Sequence, residues 1–452
     1  MARQEHAVRE GARFRVAVEG WASDGSGVAR VDGMAVFVKG GIPGEVCVIE
    51  IEHVGHRAAW AHVAELSCPS SRRQTPDCPH SAACGGCQLR NMEYEAELAF
   101  KRQRVRDALT RIGGLDIPVP PVLPAREISG YRNKAVFPVA PGPRVGFFQE
   151  RSHQVTDVSD CALQTPAANS LAAALRQWMK DFSVPAYNET DGSGLVRHLF
   201  VRSNAAGDCV AAVVVNGAAL PAEDTLVDAL RAAAPSLVGV VLNQNTRRTN
   251  VVLGDQSRTL WGTAVLVDRL RGRDFQISLP AFYQVNHPQT EILYALVESF
   301  AAFTGEERLL DLYCGTGTIG LSMAHRCKSL LGVEVVPSAV ADAEENARRN
   351  GIRNAEFLCG DAGKAAKRLA ARGERADVAV VDPPRKGLSP DVVDSLLQIA
   401  PRRLIYVSCD PATLARDLKL LRGVYRVQAV QPLDLFPRTS HIETVCALSR
   451  IK

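Results

Sequence analysis

One short stretch, residues 309–320, limits the possible folds of this chain more than any other. It reads LLDLYCGTGTIG, an apolar strand that runs into a glycine-rich turn and then into a helix. Glycine lets the backbone pass close to a ligand, and the amino terminus of the following helix attracts an anionic group. The turn is Gly-x-Gly and lacks the third glycine of a dinucleotide-binding fingerprint. By itself it is equally consistent with a tight strand–helix connection that binds nothing.

The residues around this turn predict a parallel sheet. From about residue 288 onward, short apolar segments alternate with helical patterns, which is typical of a doubly wound α/β fold. We therefore predict a separate α/β domain over residues 288–452. Its strands are predicted at 308–313, 329–333, 355–358, 378–381, 403–408, 424–430 and 443–450.

Acidic residues follow the predicted strands at their carboxyl ends, where open α/β sheets bind ligands. Glu334 ends the second strand and could accept hydrogen bonds from both ribose hydroxyls of a nucleoside. Asp361 follows the third strand, where an adenine could lie, and Asp382 opens the run Asp-Pro-Pro-Arg after the fourth. Together with the turn, these positions favour S-adenosylmethionine over a nicotinamide cofactor.

Cys409 follows the fifth strand at the same predicted edge, in the run Ser-Cys-Asp-Pro. Alone it favours a structural role, but the Asp-Pro-Pro-Arg run and a carboxylate at Glu443 reverse that preference. A thiolate that adds to carbon 6 of uracil makes carbon 5 nucleophilic, and a base must then remove the carbon-5 proton. One cysteine and one carboxylate suffice for this chemistry. Cys314, in the glycine turn, is the weaker rival as nucleophile.

The rest of the chain predicts two further units. Residues 8–66 contain short alternating strands, at 14–18, 28–31, 34–38 and 46–51, with regular turn signals. They predict a small barrel that either binds RNA or serves stability alone. Residues 67–287 predict a central α+β region that begins with an irregular cysteine-rich segment. Within it, residues 91–112 predict a helix that is capped by Asn91 and could pack on the α/β domain.

Four cysteines predict a metal site in the central region. Cys78, Cys84 and Cys87 are closely spaced, and Cys161 could supply a fourth thiolate after a long loop. Four thiolates suit either zinc or an iron–sulfur cluster, and the spacing barely separates the two. Buried cysteines without a ligand remain the alternative. The cysteines outside these groups are expected to pack in the interior: Cys47, Cys68, Cys209, Cys327, Cys359 and Cys446.

Composition and the amino-terminal sequence exclude several classes of protein. Twelve cysteines in a 452-residue chain without an export signal are not expected to form a disulfide framework. A net charge of +4 does not by itself indicate a nucleic-acid partner, so local basic clusters must carry that role. No apolar run reaches the roughly 18 residues of a membrane span, so we expect a cytoplasmic protein.

Several motifs resemble, in order, those of the RNA uracil-5-methyltransferase family. Residues 8–66, with GIPGE at 41–45, are similar to its amino-terminal TRAM barrel, which binds RNA. YRNK at 131–134 and FYQVN at 282–286 are similar to its central motifs. Four later runs resemble its catalytic motifs: DLYCGTGTIG, DPPRKG, SCDP and HIETV. The resemblance covers nearly the whole chain.

The resemblance implies a class I S-adenosylmethionine-dependent methyltransferase with a doubly wound sheet. It implies that Cys409 is the nucleophile and that Glu443 removes the carbon-5 proton. It further implies a [4Fe–4S] cluster on the four cysteines named above, with a structural or RNA-orienting role. Asp361 stands where some members have asparagine, and Asp382 would also lie close to the target base. The residues expected to line the S-adenosylmethionine site are Gln284, Tyr313, Glu334, Asp361 and Asp382.

We therefore expect a monomeric enzyme that methylates carbon 5 of a specific uridine in RNA. The barrel and the cysteine cluster together favour 23S ribosomal RNA, and transfer RNA remains the alternative substrate. Two rival functions stay open. Exocyclic-nitrogen methyltransferases usually carry an aromatic residue where this chain has Arg385. A non-catalytic RNA-binding protein would have no need of Cys409 and Glu443.

Overall fold

The amino-terminal part of the computed structural model, which describes residues 8–451, is one curled six-stranded sheet. Its strands are β1 (Arg13–Ala17), β2 (Gly20–Trp21), β3 (Gly27–Val31), β4 (Met34–Lys39), β5 (Val46–Val54) and β6 (Ala58–Cys68). The order β1-β5-β6-β4-β3-β2, with β1 also close to β3, curls the sheet toward a barrel. Fully buried Val36, Ile49 and Ala59 fill its interior. The sequence predicted four of these strands and missed β2 and β6, and β6 extends past residue 66.

A long helix, α1 (Tyr94–Arg111), follows the cysteine-rich segment. The helix predicted over residues 91–112 is confirmed, but its predicted cap is wrong. Asn91 lies outside the helix and donates its side-chain amide to the carbonyl of Gly40 in the barrel, at 2.8 Å. Glu93 occupies the capping position and makes no side-chain capping bond. Asn91 therefore ties the barrel to the segment that precedes α1.

The central region is a seven-stranded mixed sheet with two helices on one face. Its elements are β7 (Lys134–Ala140), β8 (Arg144–Phe148), β9 (Val155–Asp157), α2 (Pro166–Asp181), β10 (Val196–Ser203), β11 (Cys209–Val215), α3 (Glu223–Ala233), β12 (Leu237–Gln244), β13 (Gln256–Gly262) and a separate hairpin of β14 (Leu266–Leu270) and β15 (Arg273–Ile277). The sheet order is β13-β12-β11-β10-β7-β8-β9. Leu171 and Leu175 of α2 and Leu226 and Leu230 of α3 are fully buried against it.

The carboxy-terminal domain is a doubly wound α/β sheet, as the sequence predicted. Its elements are α4 (His287–Ala301), β16 (Arg308–Leu312), α5 (Thr318–Met323), β17 (Ser329–Glu334), α6 (Pro337–Arg349), β18 (Ala355–Cys359), α7 (Ala362–Ala371), β19 (Val378–Val381), α8 (Pro390–Ile399), β20 (Arg403–Ser408), α9 (Pro411–Leu421), β21 (Tyr425–Leu433) and β22 (Glu443–Arg450). The strand order is β18-β17-β16-β19-β20-β22-β21. β16 to β20 run parallel, and β22 is antiparallel to both of its neighbours.

Helix α1 packs on this domain although the central sheet lies between them in sequence. Val105 and Leu109 of α1 are buried against Leu414 and Leu418 of α9 in one apolar cluster. Each such buried side chain stabilises the contact by roughly 1.5–3 kcal/mol. The α/β core is therefore completed by a helix from the amino-terminal third of the chain. Among the helices of residues 8–451, none is long and apolar enough to cross a membrane.

Candidate active site

Strand register brings Cys409 and Glu443 together. β20 ends at Ser408 and β22 begins at Glu443, and in this antiparallel pair Ser408 lies opposite Thr444. Cys409 and Glu443, one step beyond that pair, are therefore neighbours at the edge of the sheet. Cys409 is half-buried, whereas Glu443 is only 2% exposed. A thiol and a carboxyl group from positions 34 residues apart share one buried site.

A third acidic group, Asp382, completes this site. It follows β19, whose last residue, Val381, pairs with Tyr406 of β20. Burial raises the pKa of Asp382 to about 7. Burial and then the charge of Asp382 raise the pKa of Glu443 well above its ordinary value. Because the two carboxyl groups share a medium of low dielectric, the charge of one opposes ionisation of the other.

The Cys409 thiol is protonated in this environment. Burial, followed by the charges of Glu443 and Asp382, raises the pKa of Cys409 to about 12. Arg385 acts in the opposite direction and lowers the pKa of both Cys409 and Glu443. Loss of a proton from the thiol therefore requires a nearby acceptor or added positive charge.

Two arginines fix the loops on either side of Cys409. Arg385 lies against the His441 ring at 3.0 Å. Burial and then the charge of Arg385 lower the pKa of His441 to about 4, so its ring is neutral. Arg104 of α1 donates to the carbonyl of Ser440 at 2.6 Å and lies 3.7 Å from the carboxylate of Asp410. His441 was not predicted as a site residue, and its contact with Arg385 is revealed only by the fold.

The glycine turn has the strained geometry of a ligand-binding loop. Tyr313 adopts a left-handed φ of 66°, which is uncommon for a residue other than glycine. At Gly317, φ is 78° and an added Cβ would lie 2.9 Å from the Leu321 side chain, so glycine is required. The amide of Gly320 donates to the carboxyl group of Asp311 at 2.9 Å. The positive φ angles and this hydrogen bond fix the backbone conformation of the turn at the carboxyl end of β16.

Glu334 and Asp361 lie beside this turn. One oxygen of Glu334 accepts from the amide of Gly315 at 3.1 Å, which joins the end of β17 to the turn. Asp361 caps α7 by accepting from the amide of Lys364 at 3.0 Å. Burial and then the charge of Asp361 raise the pKa of Tyr313 to about 12, so these two side chains interact. The structure thus brings Tyr313, Glu334 and Asp361 to one edge.

Gln284 reaches the domain from the segment before α4. It is 6% exposed, and its main-chain carbonyl accepts a hydrogen bond from the side-chain amide of Asn133 at 2.9 Å. The hydroxyl of Tyr294, on α4, lies 2.7 Å from the hydroxyl of Thr318 at the start of α5. Tyr294 was not identified from sequence, because nothing in its local pattern distinguishes it from a core aromatic residue.

The four predicted ligand cysteines line one cavity of about 290 Å³: Cys78, Cys84, Cys87 and Cys161. The Nε of Arg90 donates to the sulfur of Cys87 at 3.4 Å. Burial is the main cause of the raised pKa of Cys87, and the charges of Cys161 and Cys78 raise it further. Within residues 8–451, no three His, Cys, Asp or Glu side chains are close enough to hold a single metal ion.

All twelve cysteines are free thiols in the structure. Cys47, Cys209, Cys327 and Cys446 are buried, as expected for packing residues. The expectation is wrong for two cysteines, because Cys68 and Cys359 are exposed. Both lie at strand ends, where a side chain is easily left uncovered: Cys68 ends β6 and Cys359 ends β18.

Comparison with known proteins identifies the family. A sequence model described as tRNA (Uracil-5-)-methyltransferase matches residues 269–451, and one for the TRAM domain matches residues 7–63. An uncharacterized RNA methyltransferase of Halalkalibacterium halodurans is 39% identical over 454 residues, which is 99% of each chain. The chain belongs to the RNA uracil-5-methyltransferase family. A second such protein, from Caldanaerobacter subterraneus subsp. tengcongensis, is 37% identical over 98% of this chain and 99% of its own.

A solved structure agrees with this family. The tRNA (uracil-54, C5)-methyltransferase of Pyrococcus abyssi, in complex with S-adenosyl-L-homocysteine, superimposes with a TM-score of 0.77 and 26% identity. The match covers 96% of this chain and 100% of that one. The protein is therefore an S-adenosylmethionine-dependent RNA methyltransferase with an amino-terminal TRAM domain.

A cleft of about 760 Å³ separates the TRAM domain of this methyltransferase from α1. Trp21 borders it and packs on the buried ring of Phe100, with ring centroids 5.4 Å apart. Arg104 and Arg111 line the cleft together with acidic side chains, and Asp410, the residue after Cys409, is among them. The cleft thus reaches the segment that carries the thiol.

Proposed function

We propose that this protein methylates carbon 5 of a uridine in RNA through a covalent bond between Cys409 and the base. The observation that carries the proposal is the register of β20 and β22, which sets the Cys409 thiol beside the buried carboxyl group of Glu443. The exocyclic-nitrogen alternative has no use for either group in this arrangement. A binding protein without activity would gain nothing from gathering a thiol and two carboxyl groups in one partly buried site.

In the proposed mechanism, the Cys409 sulfur adds to carbon 6 of the uracil, and the electron pair of the 5,6 double bond moves toward carbon 5. S-adenosylmethionine, when bound, supplies the methyl group that carbon 5 takes up. Glu443 then removes the proton from carbon 5, the double bond re-forms, and the thiolate leaves. Asp382, with a pKa of about 7, is suited to accept the proton that Cys409 gives up first.

We further propose that the edge formed by β16, β17 and β18 holds S-adenosylmethionine. Glu334 offers a carboxylate to ribose hydroxyls, and Asp361 and Tyr313 flank the position for the adenine. We also assign to this site Gln284, which is buried in the segment before α4. The left-handed backbone at Tyr313 supports this role, since such conformations cluster where a loop meets a ligand.

We propose 23S ribosomal RNA as the substrate, because a TRAM barrel and a cysteine cluster occur together in this chain. Transfer RNA is supported equally by the Pyrococcus abyssi enzyme, whose substrate is transfer RNA. Mapping 5-methyluridine in both RNA classes from a deletion strain distinguishes the two. Loss of the modification from transfer RNA alone would reject the ribosomal assignment.

We propose that the cysteine cavity holds a [4Fe–4S] cluster. A cluster distributes its thiolate ligands around several irons, which suits four cysteines spaced around one cavity. Arg90, Arg132 and Lys134 also line the cavity and can balance its negative charge.

The covalent mechanism is tested by comparing Cys409→Ala with Glu443→Gln. Cys409→Ala should abolish methylation and any protein–RNA adduct. Glu443→Gln should still add the thiolate and transfer the methyl group, so a methylated adduct that survives denaturing gels should accumulate. Cys314→Ala serves as the matched control and should still form the adduct with RNA that carries 5-fluorouridine. Substantial turnover by Cys409→Ala would refute the mechanism.

A further inference from the structure

The segment between β21 and β22, residues 434–442, leads directly into Glu443 and is fixed at Arg438. Arg438 adopts a left-handed φ of 68° and is 5% exposed. Its amide donates to a carboxylate oxygen of Glu97 on α1 at 2.8 Å, and its guanidinium donates to the carbonyl of Met92 at 3.2 Å. A left-handed arginine is unfavourable unless its surroundings hold it.

The cysteine-rich segment supplies part of that restraint. The amides of Gln88 and Leu89 both donate to the carbonyl of Arg438, at 3.1 and 3.2 Å. The Gln88 side chain also accepts from the amide of Ser440 at 3.4 Å. Gln88 directly follows Cys87, one of the proposed cluster ligands. The residue that bonds the Arg438 carbonyl is therefore joined by a single peptide bond to a residue that lines the cysteine cavity.

The segment that carries Cys409 shares Arg104 with residues 434–442 but is also held by contacts of its own. Asp410, which follows it, caps α9 by accepting from the amides of Ala412 and Thr413 at 3.0 and 2.9 Å. Ser408, which precedes it, is the last residue of β20. The hydrogen bonds to Arg438 therefore restrain the segment that leads into Glu443. The segment that carries Cys409 keeps the capping bonds of Asp410 when Arg438 is replaced.

We propose that Arg438 is a positioning residue through which the cysteine-rich segment sets the place of Glu443, so that loosening it stalls the reaction at removal of the carbon-5 proton. This inference rests on the proposed function. It assigns the cysteine cavity a role in the last step of the reaction. That role is exerted at Arg438, which lies five residues before Glu443. Addition of Cys409 to the uracil should remain intact when Arg438 is disturbed.

The test compares Arg438→Ala, Arg438→Lys and Gln88→Ala with the control Arg271→Ala. Arg271 is also a left-handed arginine, with φ of 51°, whose amide and guanidinium bond two glutamates. It lies in the β14–β15 hairpin, away from the cysteine cavity. Each variant is assayed for adduct formation with 5-fluorouridine RNA, for turnover on uridine RNA, and for methylated adduct on denaturing gels.

Arg438→Ala should lower turnover roughly 10- to 100-fold, the loss expected when a reacting group moves by about 1 Å. Its fluorouridine adduct should form within about twofold of the wild-type rate, and methylated adduct should accumulate on uridine RNA. Arg438→Lys should recover part of the turnover, Gln88→Ala should show a smaller loss of the same kind, and Arg271→Ala should show none.

Equal loss of adduct formation and turnover in both Arg438→Ala and Gln88→Ala would overturn the inference, because it indicates a general structural defect. Unchanged turnover in both variants would overturn it as well. Failure of the proposed function is seen separately, since the wild-type protein would then form no fluorouridine adduct.

Discussion

Replacing Lys101 by methionine tests the contact on which the assembly of this protein depends. The Lys101 ammonium is fully buried and donates to Glu97 at 2.6 Å, to Asp434 at 2.7 Å and to the carbonyl of Phe436 at 3.1 Å. Methionine nearly preserves the side-chain volume but removes the charge. The substitution therefore leaves two buried carboxyl groups without the ammonium they share, and only Glu97 keeps another cation nearby, Arg438 at 3.7 Å.

The expected loss is large because no solvent screens this group. The side chains of Lys101, Glu97 and Asp434 are each 0% exposed. Removing one partner from a buried ion pair costs about 3–5 kcal/mol, since the other charge stays buried and unpaired. For a unit of 150–250 residues this lowers the melting temperature by roughly 6–20 °C.

The loss should depend on pH in a defined direction. Burial, the largest cause, raises the pKa of Glu97, whereas Lys101 lowers it. Without Lys101, this pKa rises further above the value in the unfolded chain. The folded protein then holds a proton that the unfolded chain releases, so stability falls as the pH rises above the unfolded value of about 4.3. The gap between Lys101→Met and wild type should be smaller at pH 5 than at pH 8.

Thermal unfolding at both pH values, with hydrogen exchange of the α1 amides, measures these effects. Lys419→Met is the matched control, since Lys419 is exposed on α9. It should leave the melting temperature nearly unchanged. If Lys101→Met lowered the melting temperature no more than Lys419→Met, or if its effect grew toward pH 5, the reasoning about the buried cation would be refuted.

Three further predictions concern the site, the cluster and the cleft. Because the pKa of Cys409 is about 12, the rate of fluorouridine adduct formation should rise as the pH is increased from about 7 to 9; a rate that does not change over this range would contradict the assignment. Anaerobically purified protein should be brown with about four irons per chain, and Cys161→Ala should lose both properties; one zinc per chain would reject the cluster. Arg111→Gln in the cleft should reduce the slope of log affinity for RNA against log salt by about 1 while binding of S-adenosylmethionine stays the same; an unchanged slope would exclude a phosphate contact there.

The sequence predicted the α/β domain best, because each of its strands is a short apolar run between helices and needs no distant partner to be recognised. The interior strand β6 was missed, since Ala58–Cys68 has few β-branched residues and takes its conformation from pairing with β5 and β4 on its two sides. The hairpin of β14 and β15 was also missed, because LVDRL and RDFQI do not alternate cleanly between apolar and polar residues: Asp268 is buried and Val267 is exposed.

The candidate site was predictable where a topological rule applied. Residues at the carboxyl ends of parallel strands must share an edge, so Tyr313, Glu334 and Asp361 could be grouped without a structure. Contacts such as Arg104 with Ser440 were not predictable, because they join residues 336 positions apart through packing of α1. The proposed roles of the site residues and the domain boundaries stay predictions.

The distance along the chain between Lys101 and Asp434 has a consequence for biosynthesis. The two residues are separated by 333 positions. At 5–20 residues per second, a ribosome needs roughly 17–67 s to add Asp434 after Lys101 has been made. During that interval the ammonium of Lys101 can pair only with Glu97 of the same helix, and the apolar face with Val105 and Leu109 lacks the α9 residues on which it packs. The newly made α1 therefore stays accessible to chaperones and prone to aggregation until the segment that follows β21 has left the ribosome.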